Sequence, residues 1–232
     1  MKLLRRIFLL IIILILLFIA IFFISGYPLY KSATGKISLD NKVTEIRSKE
    51  NFVKYEDLPK DLVDATVAVE DHRFWNHGAL DPIGIARAIF SNIKAKDAVE
   101  GGSSITQQVA KNLYFMEEKD GFQRKSAETI MSYDLEKKYS KEEIIELYVN
   151  TIYYGNGYYG IREASHGYFG KEPKELNLSE CTLLAGVPNA PSVYAPTANM
   201  DLCISRQKKV IRDMVKHKYI TQSEADSIKL GM

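Results

Sequence analysis

Glu70-Asp71-His72-Arg73-Phe74-Trp75-Asn76-His77-Gly78 crowds five ionisable side chains around two aromatic ones. A carboxylate in such company loses part of its hydration. Its charged form is then disfavoured, which suits a group that must take up or give up a proton near neutral pH. The same residues also describe a helix end closed by ion pairs. His72 and His77 stand five apart and so do not share a helix face, and the chain has no HExxH. A metal-binding histidine pair is therefore not implied.

Two further stretches carry charge or anion chemistry. Gly101-Gly102-Ser103-Ser104-Ile105-Thr106-Gln107-Gln108 is a glycine-rich turn opening a helix. Free backbone N–H groups and the positive end of the helix dipole suit a phosphate there. No Gly-Lys-Ser/Thr follows, so it is not a P-loop, and a plain capped helix start fits as well. Arg124-Lys125-Ser126-Ala127-Glu128 places two cations and a carboxylate within one helical turn or so. Arg124 and Glu128, four apart, share a face; a solvated surface pair has the same pattern. Lys111 lies upstream, on the helix that follows the glycine turn.

These residues need a scaffold. The chain has 232 residues, 46% hydrophobic and 26% charged, enough for one packed domain with an anchor. A net charge of +2 gives no whole-chain argument for nucleic acid. Any anion site is local. Cys181 and Cys203 form no CxxC pair and read as ordinary buried or half-buried thiols. From Ile7 to Ile24 no charge interrupts the apolar run, which is long enough to cross a bilayer. Lys2, Arg5 and Arg6 precede it, so the positive-inside rule places the N-terminus in the cytoplasm and the rest outside. The apolar run is too long for a signal peptide, and Ser25-Gly26-Tyr27-Pro28 is a weak cleavage site, so the anchor is expected to be retained. The expected organisation is 1–25 cytoplasmic tip and transmembrane anchor, 26–54 polar juxtamembrane linker with at most one short strand, and 55–232 a helical domain.

Helical spacing recurs across that domain. Asp61–Glu70 has apolar residues at helical spacing. Asp81 and Pro82 open a helix expected to run to about residue 96. Ser103 or Ser104 caps the next, and a longer one runs from about Phe122 to Tyr139. Ser140 with Glu143, Asn177 with Glu180, and Thr221 with Glu224 are capping-box patterns. Gly170 is a natural helix stop. Tyr153–Tyr159 reads as a tight loop, and Leu113–Met116 either rests on the membrane or packs inside. Ser205-Arg206-Gln207-Lys208 has the SxxK form, but KTG is absent and the segment reads as a surface helix. The domain is expected to be mainly α, with eight or nine short helices.

Taken in order, the motifs resemble those of the monofunctional peptidoglycan glycosyltransferases, the lysozyme-like family shared with one half of bifunctional penicillin-binding proteins. EDxxFxxHxG is matched from Glu70, except that its last glycine falls one place early, at Gly78. GxSTITQQ is matched by Gly101–Gln108, with Ser104 for Thr. RKxxE is Arg124, Lys125 and Glu128. KxxILExYLN is Lys141–Asn150, with Ile145 and Val149 as conservative departures. The aromatic-glycine stretch Tyr154–Lys171 ends in an intact Tyr168-Phe169-Gly170-Lys171. The resemblance covers about residues 55–200. Ala127 stands where family members often carry Lys, and Lys119-Asp120-Gly121 where many carry Arg, which implies either a less basic diphosphate site or cations supplied from elsewhere.

The resemblance implies a lysozyme-like helical domain at 55–232 with a small membrane-proximal lobe. It implies polymerisation of lipid II onto a growing lipid-linked glycan chain, by inverting transfer with undecaprenyl diphosphate as leaving group. Glu70 would be the base and Glu128 a second catalytic carboxylate. Lys111, Arg124, Lys125, Ser103, Thr106, Gln107, Gln108, Arg87 and Asn150 would bind substrate. No cofactor is required; magnesium or manganese near Glu128 is admitted but not demanded. The partners implied are the lipid substrates, the membrane and other cell-wall synthesis proteins. The alternatives are a lysozyme-type hydrolase, which has no use for the Arg-Lys cluster, and an inactive membrane-anchored scaffold, which has no need of both glutamates.

Overall fold

The computed structural model describes residues 2–87 and 102–231. Among these the regular structure is helical, and the one strand-like feature is an isolated bridge from Tyr153 to Tyr159 that closes the expected tight loop.

Helix α1 (Lys2–Lys36) contains the apolar run and is long and apolar enough to cross a membrane. Its 35 residues span about 52 Å, well beyond a ~30 Å hydrocarbon core. The surplus is structural. Helix α1 runs through Pro28 to Lys36, and α2 (Leu39–Arg47) follows, capped by Ser38. So residues 26–54, expected as a polar linker with at most one short strand, are largely helical and join the fold. Leu39, Val43 and Ile46 are buried at helical spacing, and Val53 is buried too. The polar residues between them mask that stripe in the sequence.

Beyond its exposed apolar part, α1 packs along α6 (Phe122–Lys138). Gly26 is the one buried residue of α1, and a Cβ there would collide with Ser126 Oγ and the Ala127 nitrogen. The Ser126 hydroxyl donates to the Phe22 carbonyl. The Phe122 ring meets Phe18 and Phe22 edge-on at 5.9 and 5.1 Å. Small residues let two helix backbones approach this closely. Gly26→Leu is expected to wedge α1 off α6 and to lower the thermal midpoint in detergent, since such overpacking costs about 1–3 kcal/mol. Gly35→Leu, where a Cβ meets nothing within 4 Å, is the control and should not lower it. Equal midpoints for the two variants would mean the α1–α6 contact contributes nothing.

The domain core is built around α3 (Lys60–Glu70), whose residues from Leu62 to Ala68 are all buried. It packs on α9 (Leu178–Gly186) and α11 (Met200–Lys216). Residues 82–87 form α4; the remainder of the helix expected there, and Glu100-Gly101, lie outside the described residues. Helix α5 (Ile105–Ala110) packs on α6 and α7 (Lys141–Thr151) and continues as a π-helical turn, Lys111–Phe115. Leu113 and Phe115 in that turn are core residues, and of the Leu113–Met116 stretch only Met116 is exposed. Helix α8 (Ile161–Phe169) ends at Gly170, which takes the left-handed conformation at φ 66°. The short α10 (Pro191–Tyr194) and α12 (Gln222–Ser227) complete the chain. Capping boxes form at Ser104, Ser140, Asn177 and Thr221. Cys181 and Cys203 are buried free thiols.

Candidate active site

The end of α3 is tied to the start of α5 by Asp71. Its Oδ2 accepts from the Ile105 amide at 3.1 Å and its Oδ1 faces His77 Nε2 at 2.8 Å. This joins the first two motifs and fixes the position of Glu70, the last residue of α3. Asp81 lies close to Asp71 and His77, but its carboxylate accepts from the Ile83 amide and pairs with Arg73. The three acidic and histidine groups thus serve as braces.

Glu70 is nearly buried, with 10% of its side chain exposed. Gln108 Nε2 donates to its Oε2 at 2.9 Å, and Arg206 Nη2 stands 3.4 Å from its Oε1. Arg206 is itself held by the Gly186 carbonyl at 3.3 Å and by the Tyr194 ring. Behind lies the Tyr148 hydroxyl, fully buried and without a hydrogen-bond partner. Burial, then the charge of Glu70, pushes its pKa far up, so it is a neutral wall.

Helix α6 presents the cations. Lys125 Nζ donates to Ser103 Oγ at 2.6 Å and to Glu128 Oε2 at 3.0 Å. Arg124 Nε stands 3.4 Å from Glu128 Oε1, out of hydrogen-bond alignment, and Arg124 also pairs with Asp120. Glu128 is only 2% exposed. Its carboxylate is the anchor that turns both cations toward the cavity. Among the described residues, the side chains around it do not offer the several oxygen ligands that a divalent ion requires. Here one carboxylate already faces an ammonium and a guanidinium.

These groups line one cavity of about 390 Å³. Glu70, Glu128, Lys111, Arg124, Lys125, Ser103, Gln107, Gln108 and Arg87 all reach it. Thr106 and Asn150 do not. The Thr106 hydroxyl donates to Glu136, and Thr106 is fully buried. Asn150 spends its amide on Val53 and Glu146, stitching α7 to the segment after α2. Conversely, the cavity includes Arg206, which lies in the SxxK segment expected to be a surface helix. Arg206 and Gln207 are buried. The available signal was their place among Cys203, Val210 and Met214, the apolar stripe of α11. A charge on such a stripe needs a buried partner.

A carboxylate held by Gln108 and Arg206 thus shares one polar cavity with a cation cluster braced by Glu128. A transglycosylase family model matches residues 39–215, and the chain belongs to that family. It is 43% identical over 173 residues to penicillin-binding protein 1F of Bacillus subtilis, covering 75% of this chain and 24% of that protein. It is 42% identical over 177 residues to penicillin-binding protein 1A of Vibrio cholerae (76% and 21%). With penicillin-binding protein 2D of Bacillus subtilis the figures are 44% over 185 residues, 80% and 27%. The chain thus spans roughly a quarter of the length of these relatives. The solved penicillin-binding protein 1A of Haemophilus influenzae is 25% identical, covers 78% of this chain and 18% of that one, and has a TM-score of 0.46.

Proposed function

We propose that this chain is a peptidoglycan glycosyltransferase that extends a lipid-linked glycan with lipid II. The observation that carries the reading is the shared cavity, which Glu70 lines together with Lys111, Arg124 and Lys125. The acceptor's sugar 4-hydroxyl attacks the anomeric carbon of the donor. The new C–O bond forms on the face opposite the diphosphate, whose C–O bond breaks with its electron pair. The hydroxyl proton passes to Glu70. A sugar hydroxyl is a poor nucleophile, and a base placed to receive its proton lowers that barrier. Charge grows on the departing diphosphate, and the α6 cations and Lys111, which line the same cavity, are the groups to stabilise it. The membrane anchor packs on the same helix, α6, that carries those cations. By the positive-inside rule, Lys2, Arg5 and Arg6 support a cytoplasmic N-terminus and a catalytic domain on the outer face.

The test is direct. Purified protein in detergent, incubated with labelled lipid II with and without magnesium, should yield polymer that lysozyme digests. The side chains around Glu128 lead to the expectation that polymer forms in both conditions. A folded sample that makes none sinks the reading, and cleavage of pre-made strands would replace it with hydrolysis.

A further inference from the structure

Helix α6 runs beside the anchor, and their contact sets the height of the catalytic domain in the bilayer. The Ser126 hydroxyl donates to the Phe22 carbonyl and the Tyr30 hydroxyl to Asp134, each pair 104 residues apart, so the two helices run parallel. The close approach of Gly26 to Ser126 and Ala127 puts those residues level with one another. Phe122 lies one turn earlier on α6, and its ring meets those of Phe18 and Phe22. Both belong to the uncharged apolar run that starts at Ile7, directly after Arg5 and Arg6. At about 1.5 Å per residue Phe22 stands about 23 Å from Ile7, against a hydrocarbon core of about 30 Å. The Phe122 ring is therefore at the height of the core. It is also 44% exposed, so α1 covers only part of it.

Depth is bounded from the other side. Glu117, Glu118, Lys119 and Asp120, directly before α6, are all exposed. Charges are costly in hydrocarbon, so this run stays among the headgroups and only the Phe122 ring goes below them. Two tyrosines mark the same border. Tyr27 and Tyr133 are 51% and 50% exposed, and the Tyr133 ring tilts against Phe23 at 6.4 Å. A tyrosine has an apolar ring and a polar tip, which suits the layer between hydrocarbon and water. We propose that Phe122, Tyr27 and Tyr133 form a lipid-binding edge that seats the catalytic domain in the bilayer. The Phe122 ring enters the shallow part of the hydrocarbon core on the domain's side, and the tyrosines lie at the headgroups. The seat follows from the anchor and its contact with α6, and does not depend on the transfer reaction. It brings Arg124 and Lys125, two and three residues past Phe122, to headgroup height, where the phosphates of a lipid-borne substrate lie.

Fluorescence of the full-length protein in lipid nanodiscs tests this. The single tryptophan, Trp75, supplies the baseline, so no core residue need change. Phe122→Trp keeps an aromatic ring against Phe18 and Phe22 and adds a second emitter at the edge. The nanodiscs are made of phosphatidylcholine and phosphatidylglycerol, with acyl chains brominated either near the glycerol end or near the methyl end. The added emission should lose most of its intensity to the shallow bromines, less to the deep ones, and little to iodide in the water. Tyr159→Trp is the control, since Tyr159 is 53% exposed but lies on the Tyr153–Tyr159 loop. Its added emission should be quenched by iodide and spared by bromine. Emission at position 122 that behaves like the control would put Phe122 in water and overturn the seat. Emission that escapes both quenchers would put a second copy of the chain there and overturn it as well. Stronger quenching by the deep bromines would overturn the shallow placement. No sugar lipid enters the measurement, so its result is separate from that of the polymerisation assay.

Discussion

Glu70→Gln should stop polymerisation while leaving the protein folded and able to bind lipid II. A positioned base contributes about 10²- to 10⁴-fold, and an amide of the same shape cannot accept the hydroxyl proton. Neighbouring groups make the substitution a clean one. Gln108 reaches Glu70 by a side-chain amide, and an amide at position 70 still offers it an oxygen acceptor. Arg206 loses its ion pair but keeps the Gly186 carbonyl and the Tyr194 ring, so it stays in place. An unpaired buried guanidinium does lower stability. A thermal melt alongside single-turnover assays with labelled lipid II separates that loss from the chemical one. Near-normal turnover in a folded Gln variant would remove Glu70 as the base.

The residues that meet in the cavity were largely visible as spacing. Glu70, the Ser103–Gln108 turn and Arg124–Glu128 each occupy a segment whose local rules are strong: a helix end, a capping box, a four-residue ion pair. Local rules also led to Thr106 and Asn150, which sit within the same motifs but turn their polar groups into the protein. Side-chain direction on a short helix depends on what packs against it, and Glu136 and Val53 are distant in sequence. The α11 wall was missed for the converse reason. Arg206, Lys209, Lys216 and His217 look like an ordinary charged helix face. Only the packing of α11 on α3, a contact between segments more than a hundred residues apart, turns that face toward Glu70. The docking of α1 was hidden likewise. Gly26 reads as the start of a polar linker, whereas its lack of a side chain is what admits Ser126 and Ala127.

Glu128→Gln should cut turnover by at least about 10²-fold, the scale seen when a preorganised electrostatic group is removed from a transition-state site. Glu128 itself touches cations, and no step of the transfer gives it a proton, so its effect passes through Arg124 and Lys125. Its buried carboxylate stands 3.4 Å from the one and 3.0 Å from the other. With an amide there, the charge that turns both toward the cavity is gone. Each cation has a second partner, Asp120 for Arg124 and Ser103 for Lys125, and each can swing to it. The fold should therefore survive, and the defect should lie in kcat, because diphosphate charge grows mainly as the bond breaks. A Glu128→Asp variant keeps the charge but shortens its reach. It should recover part of the rate if orientation is the role. Wild-type kcat in the folded Gln variant would leave Glu128 as a structural ion pair and place the stabilisation of the leaving group on Lys111 and the helix α5 turn alone.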